Sequence, residues 1–395
     1  MESNQQVAVL GGCGHVGLPL ALSLADAGHD VLIVDQDEAA VARVLRGEMG
    51  FLEDGGDELL AKHVGGRLQA TTDASRLSEA GTVVCIVGTP IDEYLNPQLG
   101  QLLALMDELK PHLRAGQLFI LRSTVFPGAT QRISRWVEEH VPGLELSFCP
   151  ERVAQGKAIR EIQSLPQIVS GITPEALGRA RELFSSLGAD IIELDPTEAE
   201  LAKLFCNAWR YISFATANQF YSLCVQNGID FYRVYDAITQ DYPRMESLPG
   251  AGFAAGPCLF KDTMQLSAFF NNQFSLGQSA MMINEGLPMT LVESLRAHDL
   301  AGKTVGILGM TFKADCDDHR DSLAFKLRKL LLLECREVVC TDEYLEFDWL
   351  LPMEEVLEKA DLLVVATPHA RYRGLEPKQV VLDPWNHLGR GGLAR

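Results

Sequence analysis

The sequence predicts an α/β protein in which two parallel-sheet domains flank a helical domain that contains one long helix. Three observations support this fold class. Short strand-like runs alternate with helical patterns over the first 195 residues, residues 196–226 form an unbroken helical pattern, and the alternation restarts after Lys303. Alternating strands and helices are typical of parallel sheets. We therefore predict domains at residues 1–195, 196–300 and 301–395.

The composition is that of a globular protein. The 395 residues are 47% hydrophobic and 22% charged, and this length favours more than one domain. A net charge of −19 argues against a nucleic-acid partner. No apolar run is long enough to span a membrane, so no membrane partner is expected. The amino terminus does not resemble a signal peptide, and the nine cysteines are scattered without a C-x-x-C pair. We therefore expect a reduced, cytoplasmic protein without a metal site.

The first element is a β-branched run at residues 7–10, which leads directly into a glycine-rich turn with the spacing G-x-G-x-x-G. A helical pattern and a strand at residues 30–34 follow, and Asp35 stands 18 residues after the last glycine. This order is typical of a Rossmann-type dinucleotide-binding domain, because the glycines let a pyrophosphate approach the helix N-terminus. Asp35 would accept the adenosine ribose hydroxyls and repel a 2′-phosphate, which favours NAD over NADP. The expected cofactor-binding residues of this turn are Gly12, Gly14, His15, Val16 and Gly17.

Three more strands are predicted at residues 82–87, 118–121 and 146–148, and a polar or proline-containing turn follows each one. Ligands of open α/β sheets bind beyond the carboxyl ends of the strands, where these turns fall. The candidate residues in them are Thr89, Thr124 and Glu151. For any one of these residues, a role as a helix cap or turn residue is an equal alternative.

The pattern at residues 196–226 is the longest helix that the sequence predicts. Lys203 and Asn207 are four residues apart, so they share one face of this helix, with apolar residues around them. The alternative is that both are ordinary surface residues. A helix of this length separates two lobes and is a candidate dimer interface.

The segment at residues 250–262, GAGFAAGPCLFKD, contains Cys258 on a loop rich in glycine and alanine. Small residues let a backbone approach a ligand closely. Lys261 and Asp262 follow three and four residues later, and a cation near a thiol favours the reactive thiolate. The alternative is that Cys258 is a structural thiol in a tight turn.

The last part of the chain repeats the α/β alternation on a smaller scale. Strands are predicted at residues 304–308, 337–340, 362–366 and 380–382, with a helix at residues 321–333. The first of these strands is followed by Gly309-Met310-Thr311-Phe312-Lys313, which lacks a true G-x-G-x-x-G pattern. We therefore predict a second, smaller Rossmann-like domain.

These pieces together resemble the UDP-glucose/GDP-mannose dehydrogenase family along nearly the whole chain. The matching motifs, in order, are GCGHVGLPLA, GTP, STV, PERV, ELAKLFCNAWR, GFAAGPCLFKD and ILGMTFKADCDDHRDS. The resemblance implies oxidation of the C6 alcohol of a nucleotide sugar to a carboxylate, with two NAD⁺ and no release of the aldehyde. It also implies a homodimer or a higher homo-oligomer.

The resemblance assigns chemical roles to residues of this chain. It implies that Cys258 captures the aldehyde as a thiohemiacetal, which a second oxidation converts to a thioester. Lys203 and Asn207 would polarise the sugar oxygen, and Lys203 would also take part in proton transfer. Asp262, with a water near Thr124, would assist deprotonation.

The resemblance also assigns hydrolysis and binding roles. Glu151 would assist hydrolysis of the thioester, and Lys261 and Arg320 would face the cofactor phosphates. Arg244 would reach the substrate from a neighbouring subunit. The substrate-binding residues that the resemblance implies are Glu151, Arg152, Lys203, Asn207, Arg244, Gly252, Phe312 and Lys313.

The sequence departs from the family pattern at several points. Gln155 stands where the glucose branch has a second glutamate, Ala254-Ala255 replaces a Gly-Gly pair, and the third domain is expected to end early. The PERV-x-x-G motif is similar to that of members that oxidise UDP-N-acetylhexosamines. The Cys-x-x-Lys-Asp motif is similar to that of the UDP-glucose and GDP-mannose branches, so the motifs do not determine the substrate sugar. Two alternative functions are a two-electron β-hydroxyacid-type dehydrogenase and an inactive NAD-binding regulatory protein.

Overall fold

The structure, a computed structural model, describes residues 6–88, 92 and 98–394. The chain divides into two units, Met1–Phe205 and Cys206–Arg395. Within the described residues, no helix is long and apolar enough to cross a membrane.

The first unit contains a six-stranded parallel sheet whose strand order is β3-β2-β1-β4-β5-β6. The order and the parallel pairing are those of a dinucleotide-binding Rossmann fold. Nearly every residue of the central strands is buried, because helices cover both faces of the sheet. The strands are β1 (Val7–Leu10), β2 (Val31–Val34), β3 (Leu68–Thr71), β4 (Thr82–Cys85), β5 (Leu118–Leu121) and β6 (Glu145–Phe148).

Two hydrophobic cores lie on the opposite faces of this sheet. A second, two-stranded parallel sheet pairs β7 (Gln167–Val169) with β8 (Ile191–Glu193). The helices of the unit are α1 (Gly17–Asp26), α2 (Glu38–Leu45), α3 (Gly56–His63), α4 (Leu99–Leu109), α5 (Ala129–His140), α6 (Ala158–Ser164) and α7 (Pro174–Ser185).

The long helix α8 extends from Pro196 to Gln226, as the sequence predicts. Proline is well suited to the start of a helix, because the first N–H groups have no partner within the helix. Gly228, with a φ of 68°, follows the end of α8 in the left-handed conformation that glycine adopts readily.

The second unit combines helices with a four-stranded parallel sheet of order β10-β9-β11-β12. Residues of α8, of the Cys258 segment and of this sheet share one hydrophobic core, which includes Tyr221, Phe253 and Val305. The helices are α9 (Phe231–Thr239), α10 (Leu259–Phe269), α11 (Ser275–Leu295), α12 (Leu323–Leu331) and α13 (Met353–Lys359). The strands are β9 (Thr304–Leu308), β10 (Glu337–Thr341), β11 (Leu362–Val365) and β12 (Val380–Leu382).

The predicted fold class is confirmed: a Rossmann-type domain comes first, a helical region follows, and a smaller α/β region ends the chain. Four of the predicted strands and the long helix have the predicted bounds, and most other predicted elements differ by one or two residues. The strand predicted at residues 82–87 ends at Cys85. The predicted domain boundaries at 195 and 300 stay predictions.

Candidate active site

The turn between β1 and α1 has the close backbone packing that a dinucleotide site requires. A Cβ atom on Gly17 would lie 2.6 Å from the Cα of Gly12, so only glycine lets the start of α1 pack against this turn. A Cβ on Gly14 would meet nothing within 4 Å, which leaves that side of the turn open to a ligand. His15 and Val16 occupy the positions between these glycines. These residues fit NAD, because a pyrophosphate needs both the exposed N–H groups of a helix start and room to approach them.

Asp35 directly follows β2 and is oriented by the same turn. Its Oδ2 accepts a hydrogen bond from the backbone N–H of Cys13 at 2.9 Å, and its Oδ1 accepts one from Asp37 at 3.1 Å. Burial, followed by the negative charge of Asp35, raises the pKa of the Cys13 thiol to about 12. Cys13 is therefore a neutral thiol at physiological pH, and Asp35 provides a carboxylate where the pattern places the ribose.

The ends of β1, β4, β5 and β6 lie in register, with Leu10, Cys85, Leu121 and Phe148 aligned across the sheet. The predicted turns therefore occupy one edge of the sheet. Thr124, partly buried, lies in the turn after β5, and Glu151 lies in the turn after β6. Thr89, also predicted for this edge, is outside the described residues.

Glu151 is held by a buried network whose members have no local pattern in the sequence. Its Oε2 pairs with the guanidinium of Arg122, which is 1% exposed and also donates to the Cys149 carbonyl at 3.1 Å. Its Oε1 accepts the backbone N–H groups of Arg152 at 2.7 Å and Val153 at 3.0 Å. The carboxylate thus has a fixed orientation at the end of β6.

Helix α8 carries Lys203 and Asn207 one turn apart. Lys203 is half-buried and Asn207 is buried. The Asn207 amide donates to Oδ2 of Asp262 at 2.6 Å, so two of the predicted site residues are in direct contact. Asp262 is fully buried, and among the described residues its Oδ1 has no hydrogen-bond partner. The Nζ of Lys261 lies 3.6 Å from this oxygen.

Cys258 is the residue that immediately precedes α10, and it is exposed. The backbone N–H of Asp262 donates to the Cys258 carbonyl at 2.9 Å, which places the buried carboxylate one helical turn after the thiol. A helix N-terminus favours a thiolate, because its N–H groups carry partial positive charge. Hydrogen bonds to Asp318 raise the pKa of Arg320, and the negative charge of a Cys258 thiolate contributes to the same shift.

The loop that precedes α12 carries Phe312 and Lys313. The backbone N–H groups of Met310 and Thr311 donate to Oδ2 of Asp342, at 2.6 and 3.0 Å. Asp342 also contacts Nε2 of the buried His369 at 3.0 Å. Because Nδ1 of His369 accepts the N–H of Asp315 at 2.9 Å, its proton is on Nε2 and points to Asp342. This network fixes the first residues of the loop.

Two glycines bring the Cys258 segment close to aromatic rings. A Cβ on Gly252 would lie 2.4 Å from the ring of Trp385, and one on Gly256 would lie 2.5 Å from Phe312. Arg244 is exposed, and its guanidinium lies 5.6 Å from the centre of the Tyr242 ring. Among the described residues, no three His, Cys, Asp or Glu side chains are placed to hold a metal ion.

Known proteins are similar to this chain along nearly its whole length. The UDP-glucose/GDP-mannose dehydrogenase family model matches in three parts: the NAD binding domain at residues 5–188, the central domain at 197–286 and the UDP binding domain at 306–390. The UDP-N-acetyl-D-mannosamine dehydrogenase of Pyrococcus horikoshii is 29% identical, over 98% of this chain and 92% of its own. The NDP-N-acetyl-D-galactosaminuronic acid dehydrogenase of Ralstonia nicotianae is 28% identical, over 94% of each chain.

Solved structures show the same similarity. That of UDP-D-ManNAc dehydrogenase from Pyrococcus horikoshii matches with a TM-score of 0.89 and 27% identity, over 97% of this chain and 96% of that one. That of a UDP-glucose dehydrogenase from Pyrobaculum islandicum matches with a TM-score of 0.88 and 26% identity, over 97% and 95%. The chain therefore belongs to the UDP-glucose/GDP-mannose dehydrogenase family of NAD-dependent nucleotide-sugar dehydrogenases.

Proposed function

We propose that this enzyme oxidises the C6 hydroxyl of a nucleotide sugar to a carboxylate in two successive oxidations, with Cys258 as the covalent nucleophile. The observation that carries the proposal is the exposed thiol at the start of α10, with the buried Asn207–Asp262 pair one turn further on. The glycine-rich turn and Asp35 would hold NAD⁺, which would supply the hydride acceptor for each oxidation. The other steps belong to side chains of this protein.

Lys203 and Asn207 would act on the oxygen that changes during the oxidation. An ammonium and an amide N–H both stabilise negative charge as it develops on oxygen, and here they lie one turn apart on α8. Asn207 is already oriented by Asp262. Asp262, with a water near Thr124, would take the proton that the hydroxyl releases, because its Oδ1 is an acceptor with no hydrogen bond among the described residues.

The thiolate of Cys258 would add to the aldehyde carbon, and the product, after taking up a proton, is a thiohemiacetal. Loss of a hydride and a proton converts this intermediate to a thioester. Water then attacks the thioester carbon, and the carboxylic acid leaves while the thiol is regenerated. Covalent capture keeps the aldehyde from escaping between the two oxidations. Glu151, oriented by Arg122, would assist the attack of water.

We propose a UDP-N-acetylhexosamine as the substrate. The PERV-x-x-G motif and the names of the relatives at 28% and 29% identity support this class. The motif ends at Gly156, whose φ of 78° is a conformation that favours glycine. UDP-glucose is the second candidate, because the Cys-x-x-Lys-Asp motif and the UDP-glucose dehydrogenase of similar fold point to it.

Binding of substrate and cofactor would use residues from several loops. Lys261, three residues after Cys258, and Arg320, whose charge interacts with that of Cys258, are proposed for the cofactor phosphates. Phe312 and Lys313 are proposed for the nucleotide sugar, because the Asp342 network holds their loop in place. The remaining proposed substrate-binding residues are Arg152, Arg244 and Gly252.

We further propose that the enzyme is a homodimer that packs through α8. Large apolar side chains are exposed along one face of this helix, where Phe205 is 55% and Trp209 61% exposed. Phe220 and Leu223 continue the same face, so the stripe extends about 27 Å along the axis. Exposed large apolar side chains that share one helix face mark a candidate interaction site. A second copy of the same stripe is a matching partner for it.

The proposal is tested by the number of NADH molecules formed per molecule of sugar acid, with purified protein, NAD⁺ and UDP-N-acetylhexosamines or UDP-glucose. Wild type should give two NADH and no free aldehyde. Cys258→Ser should stall after at most one NADH or trap a slowly hydrolysed ester, because serine is scarcely ionised without a dedicated base. Its overall rate should fall by about three orders of magnitude or more.

Cys206→Ser is the matched control, because Cys206 is also exposed and lies on α8. It should keep the two-NADH stoichiometry. Both variants should bind the nucleotide sugar with near-normal affinity, since the thiol adds little to ground-state binding. Two NADH from Cys258→Ser at a rate close to wild type would make Cys258 a structural residue. One NADH from wild type would instead favour a two-electron dehydrogenase.

A further inference from the structure

We infer that Asn218 and Asn284 position the Cys258 loop, residues 250–258, through a buried pair of side-chain amides. Asn218 lies on α8 and Asn284 on α11, and both are 0% exposed. Neither residue contacts the reacting atoms in the proposed mechanism. They act through Gly252, so they are positioning residues for the proposed reaction.

Asn218 binds the backbone of Gly252 at two points. Its Oδ1 accepts the N–H of Gly252 at 2.9 Å, and its Nδ2 donates to the carbonyl of Gly252 at 2.9 Å. The side-chain amide therefore pairs with a main-chain residue as a neighbouring strand would. Two hydrogen bonds to one residue fix its orientation as well as its position.

Asn284 determines which way the Asn218 amide faces. The second N–H of Asn218 Nδ2 donates to Oδ1 of Asn284 at 2.9 Å, and Nδ2 of Asn284 donates to the Tyr211 carbonyl at 3.0 Å. A reversed Asn218 amide would point its oxygen at two other oxygens. Buried acceptors left without donors are costly. The hydrogen bonds of Asn284 therefore keep the Asn218 amide in the one orientation that matches Gly252.

The loop needs this external support because it has few side chains of its own. Gly252 has a φ of 144° and Gly256 a φ of 95°, conformations that other residues rarely adopt. The loop backbone is held from outside at both glycines, by Asn218 at the first and by a hydrogen bond from the N–H of Gly256 to the Asp321 carbonyl, 3.3 Å, at the second. Trp385 and Phe312 fill the space where side chains would otherwise be.

Helix α8 therefore holds the chain on both sides of Cys258. Asn218 fixes Gly252 before the thiol, and Asn207 binds Asp262 after it. The two asparagines are 11 residues apart, about three helical turns and about 17 Å along one face of α8. A rigid helix thus sets the spacing between the loop and the proton-accepting carboxylate. Precise placement of a nucleophile matters because small displacements cost large factors in rate.

Hydrogen exchange tests the contact without any substrate. In Asn218→Asp the side chain keeps its size but loses both donors, so amide exchange in the peptide covering residues 250–258 should be about tenfold faster. Asn284→Ala keeps both bonds to Gly252 but loses the orienting bond, so a smaller acceleration, about threefold, is expected there. If the first variant does not fold, the second decides the question.

Tyr221→Phe is the control, because Tyr221 is also buried on α8 and donates to a glycine carbonyl, that of Gly392, at 2.8 Å. It should leave exchange in the 250–258 peptide unchanged. Exchange in that peptide equal to wild type in a folded Asn218→Asp or Asn284→Ala variant would overturn the inference.

Turnover tests the consequence, which rests on the proposed function. A loosened loop should fail at capture of the aldehyde, so the Asn218 and Asn284 variants should release aldehyde that semicarbazide traps, and should give fewer than two NADH per sugar. The KM for NAD⁺ should stay within about twofold of wild type, a split that a general loss of stability would not produce. Two NADH without aldehyde from a variant overturns the positioning role alone, whereas one NADH from wild type overturns the proposed function.

Discussion

At the scale of single residues, the cofactor preference depends on Asp35. Its two oxygens are oriented by the N–H groups of Cys13 and Asp37, so the carboxylate stays at the end of β2. A 2′-phosphate there would meet a like charge in a partly dry site. We therefore expect kcat/KM for NAD⁺ to exceed that for NADP⁺ by about two orders of magnitude. Asp35→Asn should reduce this ratio by about tenfold or more, as steady-state kinetics with both cofactors would show.

Asp30→Asn is the control for this prediction. Asp30 precedes the same strand and is exposed, but at the opposite end of β2 from the glycine-rich turn. The ratio of the two kcat/KM values should not change in this variant. Equal values for NAD⁺ and NADP⁺ in the wild type would contradict the role of Asp35.

The residues that could be predicted are those with a local sequence pattern. The glycine-rich turn and Asp35 have a fixed spacing, and Lys203 and Asn207 have helical spacing on a helix whose bounds were also predicted. Arg122 and Asn218 have no such pattern. Arg122 pairs with a residue 29 positions away and Asn218 with one 34 positions away, so only the tertiary fold brings each to its partner.

One hint was present in the sequence for each of these residues. An arginine directly after the apolar strand β5 must find a partner if it is buried, because an unpaired buried charge is costly. Asn218 stands three turns after Asn207 on the same helical face. These patterns indicate burial of a polar group, but they do not say which group it meets.

At the scale of elements, α8 is joined to α5 by a buried carboxylate. Oε2 of Glu200 accepts the N–H of Gly128 at 2.6 Å, and its Oε1 accepts the N–H and the hydroxyl of Thr130, at 2.8 and 2.5 Å. A carboxylate at a helix N-terminus satisfies N–H groups that have no partner within the helix. The side chain of one helix thus caps another, in the segment that follows Thr124.

This cap predicts a pH dependence of stability. Burial raises the pKa of Glu200 above its usual value, although the hydrogen bonds from Thr130 and Gly128 oppose the shift. A raised pKa means that the folded protein binds the proton more tightly than the unfolded chain. The contribution of Glu200 is therefore complete below the ordinary carboxyl range and decreases as the pH rises through the raised pKa.

Glu200→Gln removes this titration. The free energy of unfolding of wild type should therefore decrease relative to that of the variant as the pH is raised from about 4.5. At neutral pH the variant should be more stable than wild type, because its amide has no charge to desolvate and, like the protonated carboxyl, offers the donors one acceptor oxygen. Urea denaturation at a series of pH values measures both effects. Glu198→Gln, exposed in the same turn of α8, should show neither, and a difference that is constant with pH would contradict the assignment.

Most strands of the two larger sheets could be predicted, whereas the short strands β3, β7 and β8 were missed. The fully buried strands β1, β5 and β9 have the predicted bounds, because helices cover both faces and leave a continuous apolar run. The edge strand β3, Leu-Gln-Ala-Thr, has one fully buried residue, and its apolar alternation consists of only Leu68 and Ala70. Its place in the sheet comes from pairing with β2, which the sequence of β3 does not reveal.

At the scale of the whole molecule, the division of the chain into two units does not coincide with the predicted domain boundaries. The division between Phe205 and Cys206 lies inside α8, whereas the sequence placed a boundary at the start of that helix. In the second unit, α8, α9, α11 and the C-terminal sheet contribute to one core. This core includes residues on both sides of the boundary predicted at residue 300. The exposed face of α8, with Trp209, is the surface that we propose a second copy covers.

Subunit mixing tests the shared site. If Arg244 acts on the substrate of a neighbouring subunit, an Arg244→Ala chain and a Cys258→Ala chain should each be inactive but complement each other. Every hybrid dimer then has one site with both residues and one with neither. Random pairing of equal amounts makes half of the dimers hybrid, so activity should recover to about a quarter of wild type. Co-expression with two different affinity tags, followed by tandem purification, isolates the hybrids, which should show about half.

A third substitution connects this recovery to α8. Trp209 is 61% exposed on the proposed interface, and Trp209→Glu would place a charge in an apolar contact. Adding it to both chains should give monomers in sedimentation velocity and abolish the recovery. Gln226→Glu, at the end of the helix beyond the apolar stripe, is the control and should leave both results unchanged. If purified hybrid dimers stay inactive, Arg244 acts within its own chain; if recovery persists in the Trp209→Glu background, the subunits pair through another surface.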